Sequence, residues 1–157
     1  MKKVIFLDFD GVLNTMYYQW FLQSSGKAYI DEYGSCFDPN AVEQLKRIID
    51  KTGADIVVES TWKYLGLDAM NKLWQVRNLP GKIIDITPDI PTTPPCKGIE
   101  IKQWIIDNVS SNEKLRYIIL DDEYVITESQ LENFILINPY EGITDDVASR
   151  AISILNA

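Results

Sequence analysis

Five short apolar runs recur along the chain: Val4–Leu7, Ile56–Val58, Ile83–Ile86 (broken by Asp85), Tyr117–Leu120 and Phe134–Ile137. Most are continuous rather than alternating, so both faces of each strand must be covered, as in a parallel sheet. Between them lie helical patterns. Asp38-Pro39 reads as an N-cap and a first-turn proline, followed by Val42, Leu45, Ile48 and Ile49 on one face and by Gly53 as the stop. Leu67–Val76 is a second candidate, with Asp68 as its cap, and Ile99–Val109 a third, striped by Ile101, Trp104, Ile105 and Val109. A last helix starts near Thr144 and uses Val147, Ala148, Ala151, Ile152 and Leu155. Strands alternating with helices predict a doubly wound, Rossmann-like α/β fold with a parallel sheet of about five strands. No repeat, linker or low-complexity tract divides the 157 residues, so one domain over residues 1–157 is expected.

The chain contains no histidine, which removes Ser-His-Asp triads, Cys-His nucleophile pairs and histidine zinc sites together. Cys36 and Cys96 are too few for a disulfide framework or a structural zinc cage. What remains for chemistry is carboxylate, hydroxyl and lysine, groups suited to hard cations and phosphate. A net charge of −8 argues against whole-surface attraction to nucleic acid, while leaving room for a local groove. No apolar stretch approaches the roughly 18 residues of a membrane span, so no membrane partner is expected. Asp8 and Asp10 interrupt the first apolar run before it reaches the length of a signal-peptide core, and the expected location is cytoplasmic.

In open α/β sheets ligands bind beyond the carboxyl ends of the strands. The first run leads into Asp8-Phe9-Asp10-Gly11-Val12, the second into Glu59-Ser60-Thr61 and the fourth into Asp121-Asp122. Each has a plain structural alternative: Asp8 and Asp10 as turn formers, Ser60, Thr61 and the acidic pair as helix caps. Together, however, Asp8, Asp10, Asp121 and Asp122 at one edge would repel one another unless some protonate or a cation holds them ionised. Oxygen-only ligands point to Mg²⁺. Lys97 stands just before a helix, the wrong end of the macrodipole for a cation, unless an anionic ligand or those carboxylates compensate it.

With these residues in order, the chain resembles the haloacid dehalogenase (HAD) superfamily across almost its full length. The apolar strand running into Asp8-Phe9-Asp10-Gly11-Val12 matches the first motif, Ser60 or its neighbour Thr61 the second, Lys97 the third, and Asp121-Asp122 the fourth. Ser60-Thr61-Trp62-Lys63 and Gly142-Ile143-Thr144 also resemble the HAD-type domains of multifunctional RNA-repair proteins. The resemblance implies a Mg²⁺-dependent phosphatase in which Asp8 attacks phosphorus and forms an aspartyl-phosphate. Asp10 would protonate the leaving oxygen and then activate water. Lys97 with Ser60 or Thr61 would hold the phosphoryl oxygens. The ion would take the Asp8 carboxylate, the Asp10 backbone carbonyl and Asp121, with Asp122 either a direct or an indirect ligand.

In that superfamily, insertions after the early motifs build a cap over the site. Here residues 14–37 allow only a short flap, so an open site is expected, suited to phosphate on a large substrate such as a polynucleotide end, with small phosphomonoesters as the other option. Tyr17, Tyr18, Trp20 and Phe21 in the flap would either stack bases or pack it down. The required partner is a phosphorylated substrate; no obligate protein partner is readable. Two alternatives share the residues: a receiver-like phosphoacceptor module, which places its acidic pair after the first strand instead of the fourth, and a catalytically silent binding protein of the same fold.

Overall fold

The apolar runs form the sheet. A computed structural model of the protein describes residues 1–157. In chain order come β1 (Lys2–Leu7), α1 (Met16–Ser24), β2 (Ile30–Asp31), β3 (Gly34–Ser35), α2 (Pro39–Thr52), β4 (Asp55–Val58), a 3-10 turn (Thr61–Leu65), α3 (Leu67–Val76), β5 (Ile83–Ile86), α4 (Lys97–Asn108), β6 (Leu115–Asp121), a second 3-10 turn (Glu128–Asn133), β7 (Phe134–Leu136) and α5 (Asp145–Asn156). Five strands pair in the order β5-β4-β1-β6-β7, all parallel. Renumbered along that sheet alone, this is the 3-2-1-4-5 order of Rossmann-type sheets; receiver domains have the order 2-1-3-4-5.

β1 shows how the two faces are filled. Ile5 and Leu7 join a large core with Leu45 and Ile48 of α2, Met70 and Leu73 of α3, and Ala148 and Leu155 of α5. Val4 and Phe6 point the other way, onto Ile101 and Trp104 of α4. All four β1 residues are fully buried, which is why the run carries no alternation.

Helix ends follow local chemistry where it exists. Asp38 accepts from the Asn40 N–H at 2.9 Å, Pro39 opens α2, and Gly53 ends it at φ 70°. Thr144 caps α5, accepting from the Val147 N–H at 3.3 Å. Asp68 does not cap α3: it lies in the first turn, and Gly66, with no side chain to offer, holds the cap position. The helix expected from Ile99 begins at Lys97, because Gly98 N–H is tied to the Val125 carbonyl at 2.8 Å. The flap at residues 14–37 is more ordered than its composition suggested, holding α1 and the antiparallel pair β2–β3. No helix is long and apolar enough to cross a membrane.

Candidate active site

Strand register builds the site. Leu7 lies opposite Val58 on β4 and Leu120 on β6. The ladder continues one residue further, through Asp8 N–H to the Leu120 carbonyl and Glu59 N–H to the Leu7 carbonyl, each at 3.0 Å. Asp8, Glu59 and Asp121 therefore form one row across the carboxyl ends of three neighbouring strands. Side chains two apart share a face, so this row continues Phe6, Val57 and Ile119, all on the α4 side. Lys97, the first residue of α4, meets it there.

Lys97 Nζ donates to Asp121 Oδ2 at 2.9 Å and lies 3.4 Å from Glu59 Oε2 and 3.5 Å from Asp8 Oδ1. Burial opposes its charge, but Glu59, Asp8 and Asp121 together hold the ammonium well above its ordinary range. Asp8 is 3% exposed, with its Oδ1 accepting from the Phe9 N–H at 2.9 Å. Burial first, then the charges of Asp121 and Asp122, push its carboxyl up to about 8 against the pull of Lys97. Burial also raises Asp122, with Asp121 adding to it. Asp121 goes the other way: burial disfavours its charge, yet the adjacent Glu59 carboxyl and the bond from Lys97 hold it below the usual carboxylate range.

Ligand oxygens of Asp8, Asp121 and Asp122 all lie within 4.8 Å of one another. A carboxyl left protonated near neutral pH, beside two further carboxyls, is the electrostatic state that a divalent cation relieves. These hard oxygen donors fit Mg²⁺, which takes a few carboxylates plus water and a substrate oxygen. Gly11 makes the approach possible. Its φ of 77° and the collision any Cβ would make with the Asp122 carboxylate leave room for glycine alone.

The Asp10 carboxylate lies apart from this group. Its Oδ1 accepts from Asn14 Nδ2 at 2.8 Å and Trp62 Nε1 at 3.1 Å. The ligand role implied for its backbone carbonyl makes no demand on the side chain. Ser60 is fully buried, and its Oγ accepts from Trp62 N–H at 3.3 Å, capping the 3-10 turn. Thr61 is exposed and lines a cavity of about 360 Å³ with Glu59, Tyr64, Asp89 and Lys97. In the wall of that cavity Lys63, 4% exposed, donates to Glu100 Oε1 at 2.8 Å, Thr87 Oγ1 at 3.0 Å and the Pro88 carbonyl at 3.2 Å.

Sequence reasoning did not assign Glu59 to the site. Both of its carboxyl oxygens are buried without a hydrogen-bond partner, and burial, then the nearby Asp121 charge, hold it well above the carboxylate range. Its signal was its place one residue beyond an apolar run. Asn14 and Trp62 were missed as partners of Asp10, and no local pattern marks them.

A parallel sheet of this order, an aspartate leaving the central strand, an acidic pair leaving its neighbour, and a lysine descending from the covering helix define a HAD-like domain. A family model described as the HAD domain in Swiss Army Knife RNA repair proteins matches residues 4–148, and the chain belongs to that family. Membership points to a phosphatase-type hydrolase. No curated protein and no solved structure matches the chain.

Proposed function

We propose that this chain is a Mg²⁺-dependent phosphatase working through an aspartyl-phosphate on Asp8, with phosphorylated polynucleotide ends as substrate. One observation carries the reading: three carboxyl groups within 4.8 Å of each other, facing a lysine 3.5 Å from Asp8 and 2.9 Å from Asp121. Mg²⁺ held by Asp8, Asp121 and Asp122 would neutralise charge on the phosphoryl oxygens.

The protein groups do the rest. Asp8 supplies the attacking oxygen, and Lys97 offers N–H donors to the phosphoryl oxygens on the same face, with Ser60 or Thr61 beside it. Asp10 protonates the departing oxygen and then takes the proton of the hydrolytic water. Phosphoryl transfer asks mainly for positioning and charge neutralisation, and the row of strand ends provides a rigid base for both.

Polynucleotide ends are favoured by the family's description as a domain of RNA repair proteins and by a flap of only one helix and one hairpin. The test measures phosphate release from RNA carrying a 3′- or 5′-phosphate, against sugar phosphates, nucleotides and phosphopeptides, with Mg²⁺ or EDTA. Faster turnover of an RNA end, lost with EDTA and in Asp8→Asn, is expected. Activity persisting in Asp8→Asn would exclude the covalent route; preference for sugar phosphates would exclude the substrate.

A further inference from the structure

Asp10 is exposed, and an exposed carboxylate normally samples several rotamers, yet here one oxygen is held twice. Asn14 Nδ2 and Trp62 Nε1 both donate to Oδ1, and no N–H or O–H of the chain donates to Oδ2. The indole that reaches across is itself fixed. Its ring packs edge-on against Phe9 with centroids 5.3 Å apart, and tilted by 35° against Phe37 at 5.6 Å. Gly34 of β3 lies so close that a Cβ there would meet Trp62 Cη2 at 2.9 Å. Arg77 sits 4.5 Å over the Phe37 ring and donates to the Gly34 and Ser35 carbonyl oxygens at 3.1 and 3.0 Å. The flap hairpin, α3 and the 3-10 turn therefore converge on one indole whose only polar atom points at Asp10.

We propose that Trp62, together with Asn14, is a positioning residue for Asp10, deciding which carboxyl oxygen carries the transferable proton. This rests on the phosphatase reading above. Two N–H donors aimed at Oδ1 fix that oxygen as acceptor, so the proton of the acid form resides on Oδ2. In the first half-reaction the bond from Asp8 to phosphorus forms, the bond from phosphorus to the leaving oxygen breaks, and the Oδ2 proton passes to that oxygen. In the second, the Asp10 carboxylate takes a proton from water, whose oxygen bonds to phosphorus as the Asp8 carboxylate is released.

A group that acts through the general acid matters most when the leaving oxygen is basic, and this separates positioning from packing. Trp62→Phe is compared with wild type on an alkyl phosphate and on 2,4-dinitrophenyl phosphate, both with saturating Mg²⁺. General acid catalysis supplies ~10²–10⁴-fold, so losing one of two anchors is expected to lower kcat about tenfold on the alkyl ester, with KM unchanged, and less than about twofold on the dinitrophenyl ester. Trp62→Gln, which restores an N–H donor without the ring, should regain part of the alkyl-ester rate. Should Trp62→Phe fail to fold, Asn14→Ala removes the other donor and should show the same selectivity. Independently of turnover, Asp10→Asn should move the Trp62 indole N–H resonance and leave those of Trp20, Trp74 and Trp104 in place. Equal losses on the two esters in a folded variant, or an unmoved Trp62 resonance, would overturn the proposal. A wild-type chain inactive on both esters retires the phosphatase reading and this role with it; an active wild type with unselective variants retires the role alone.

Discussion

Without a bound cation, this protein should lose stability as the pH rises from 5 to 8. In the metal-free fold the Asp8 carboxyl stands at about 8 against 3.8 for an ordinary aspartate, because burial and the charges of Asp121 and Asp122 disfavour its ionised form. Between those values the folded chain keeps a proton that the unfolded chain has released. Folding therefore binds a proton, and stability falls as pH rises through that window, levelling off above about 8. Glu59, also raised, pushes the same way. Asp121 is lowered, so its effect lies below the window, and Lys97 is raised from a value already above it. One fully linked group changes stability by about 1.4 kcal/mol per pH unit, so the three units give roughly 4 kcal/mol, with the carboxyl cluster titrating as a unit. That is a large part of the ~5–15 kcal/mol of a typical domain.

The assay is urea denaturation at pH 5, 6, 7 and 8, in EDTA and in excess Mg²⁺. A cation replaces the proton, so the slope should flatten with Mg²⁺ and the stabilisation by Mg²⁺ should grow with pH. Asp8→Asn removes a carboxyl that burial and its neighbours push up to about 8, and should lessen the slope in EDTA. A metal-free wild type whose stability is level or rises from pH 5 to 8 would refute the claim that these carboxyls are crowded enough to require an ion.

Three further substitutions test how the site is held. Lys63→Met leaves Glu100 buried with only the Ile90 N–H on its other oxygen, and should cost about 3–5 kcal/mol by urea denaturation; adding Glu100→Leu should recover much of the loss. Gly11→Ala forces a side chain into a left-handed backbone and against Asp122, so it should cost at least about 1 kcal/mol and, by calorimetry, weaken Mg²⁺ binding further. Asp38→Ala removes both the α2 cap and the acceptor for Thr15 Oγ1 at 2.7 Å, and a fall of about 1–2 kcal/mol in thermal unfolding is expected.

The fold was legible wherever its cause is local. Short apolar runs, most of them continuous, located all five strands of the main sheet, and Asp38-Pro39 with Gly53 bounded α2, because caps and strand burial are written in adjacent residues. The start of α3 was not legible, since the cap position holds Gly66 and Asp68 is an equally good local candidate. The start of α4 is fixed by a bond from Gly98 to Val125, residues far apart in the chain. The flap hairpin has two residues per strand, too few for any period to register.

The site divides along the same line, and register is what divides it. Asp8, Asp121, Asp122 and Lys97 carry a recognisable order in sequence, and the fold gathers them. Glu59 carries only its place one residue beyond the second apolar run, and no motif of that order includes it. Its position follows only once Leu7 is known to face Val58, for then the residue after each must stand side by side. Parallel register is set by how two cores pack on opposite faces of the sheet, so it is decided by residues distant from the motif. A chain that shifted β4 by one residue would keep every motif in its sequence, yet turn Glu59 toward the opposite face and bring Ser60 into the row beside Asp8. The chemistry of this site is thus specified twice: by the residue types at the strand ends, which sequence displays, and by the register that aligns those ends, which packing alone enforces.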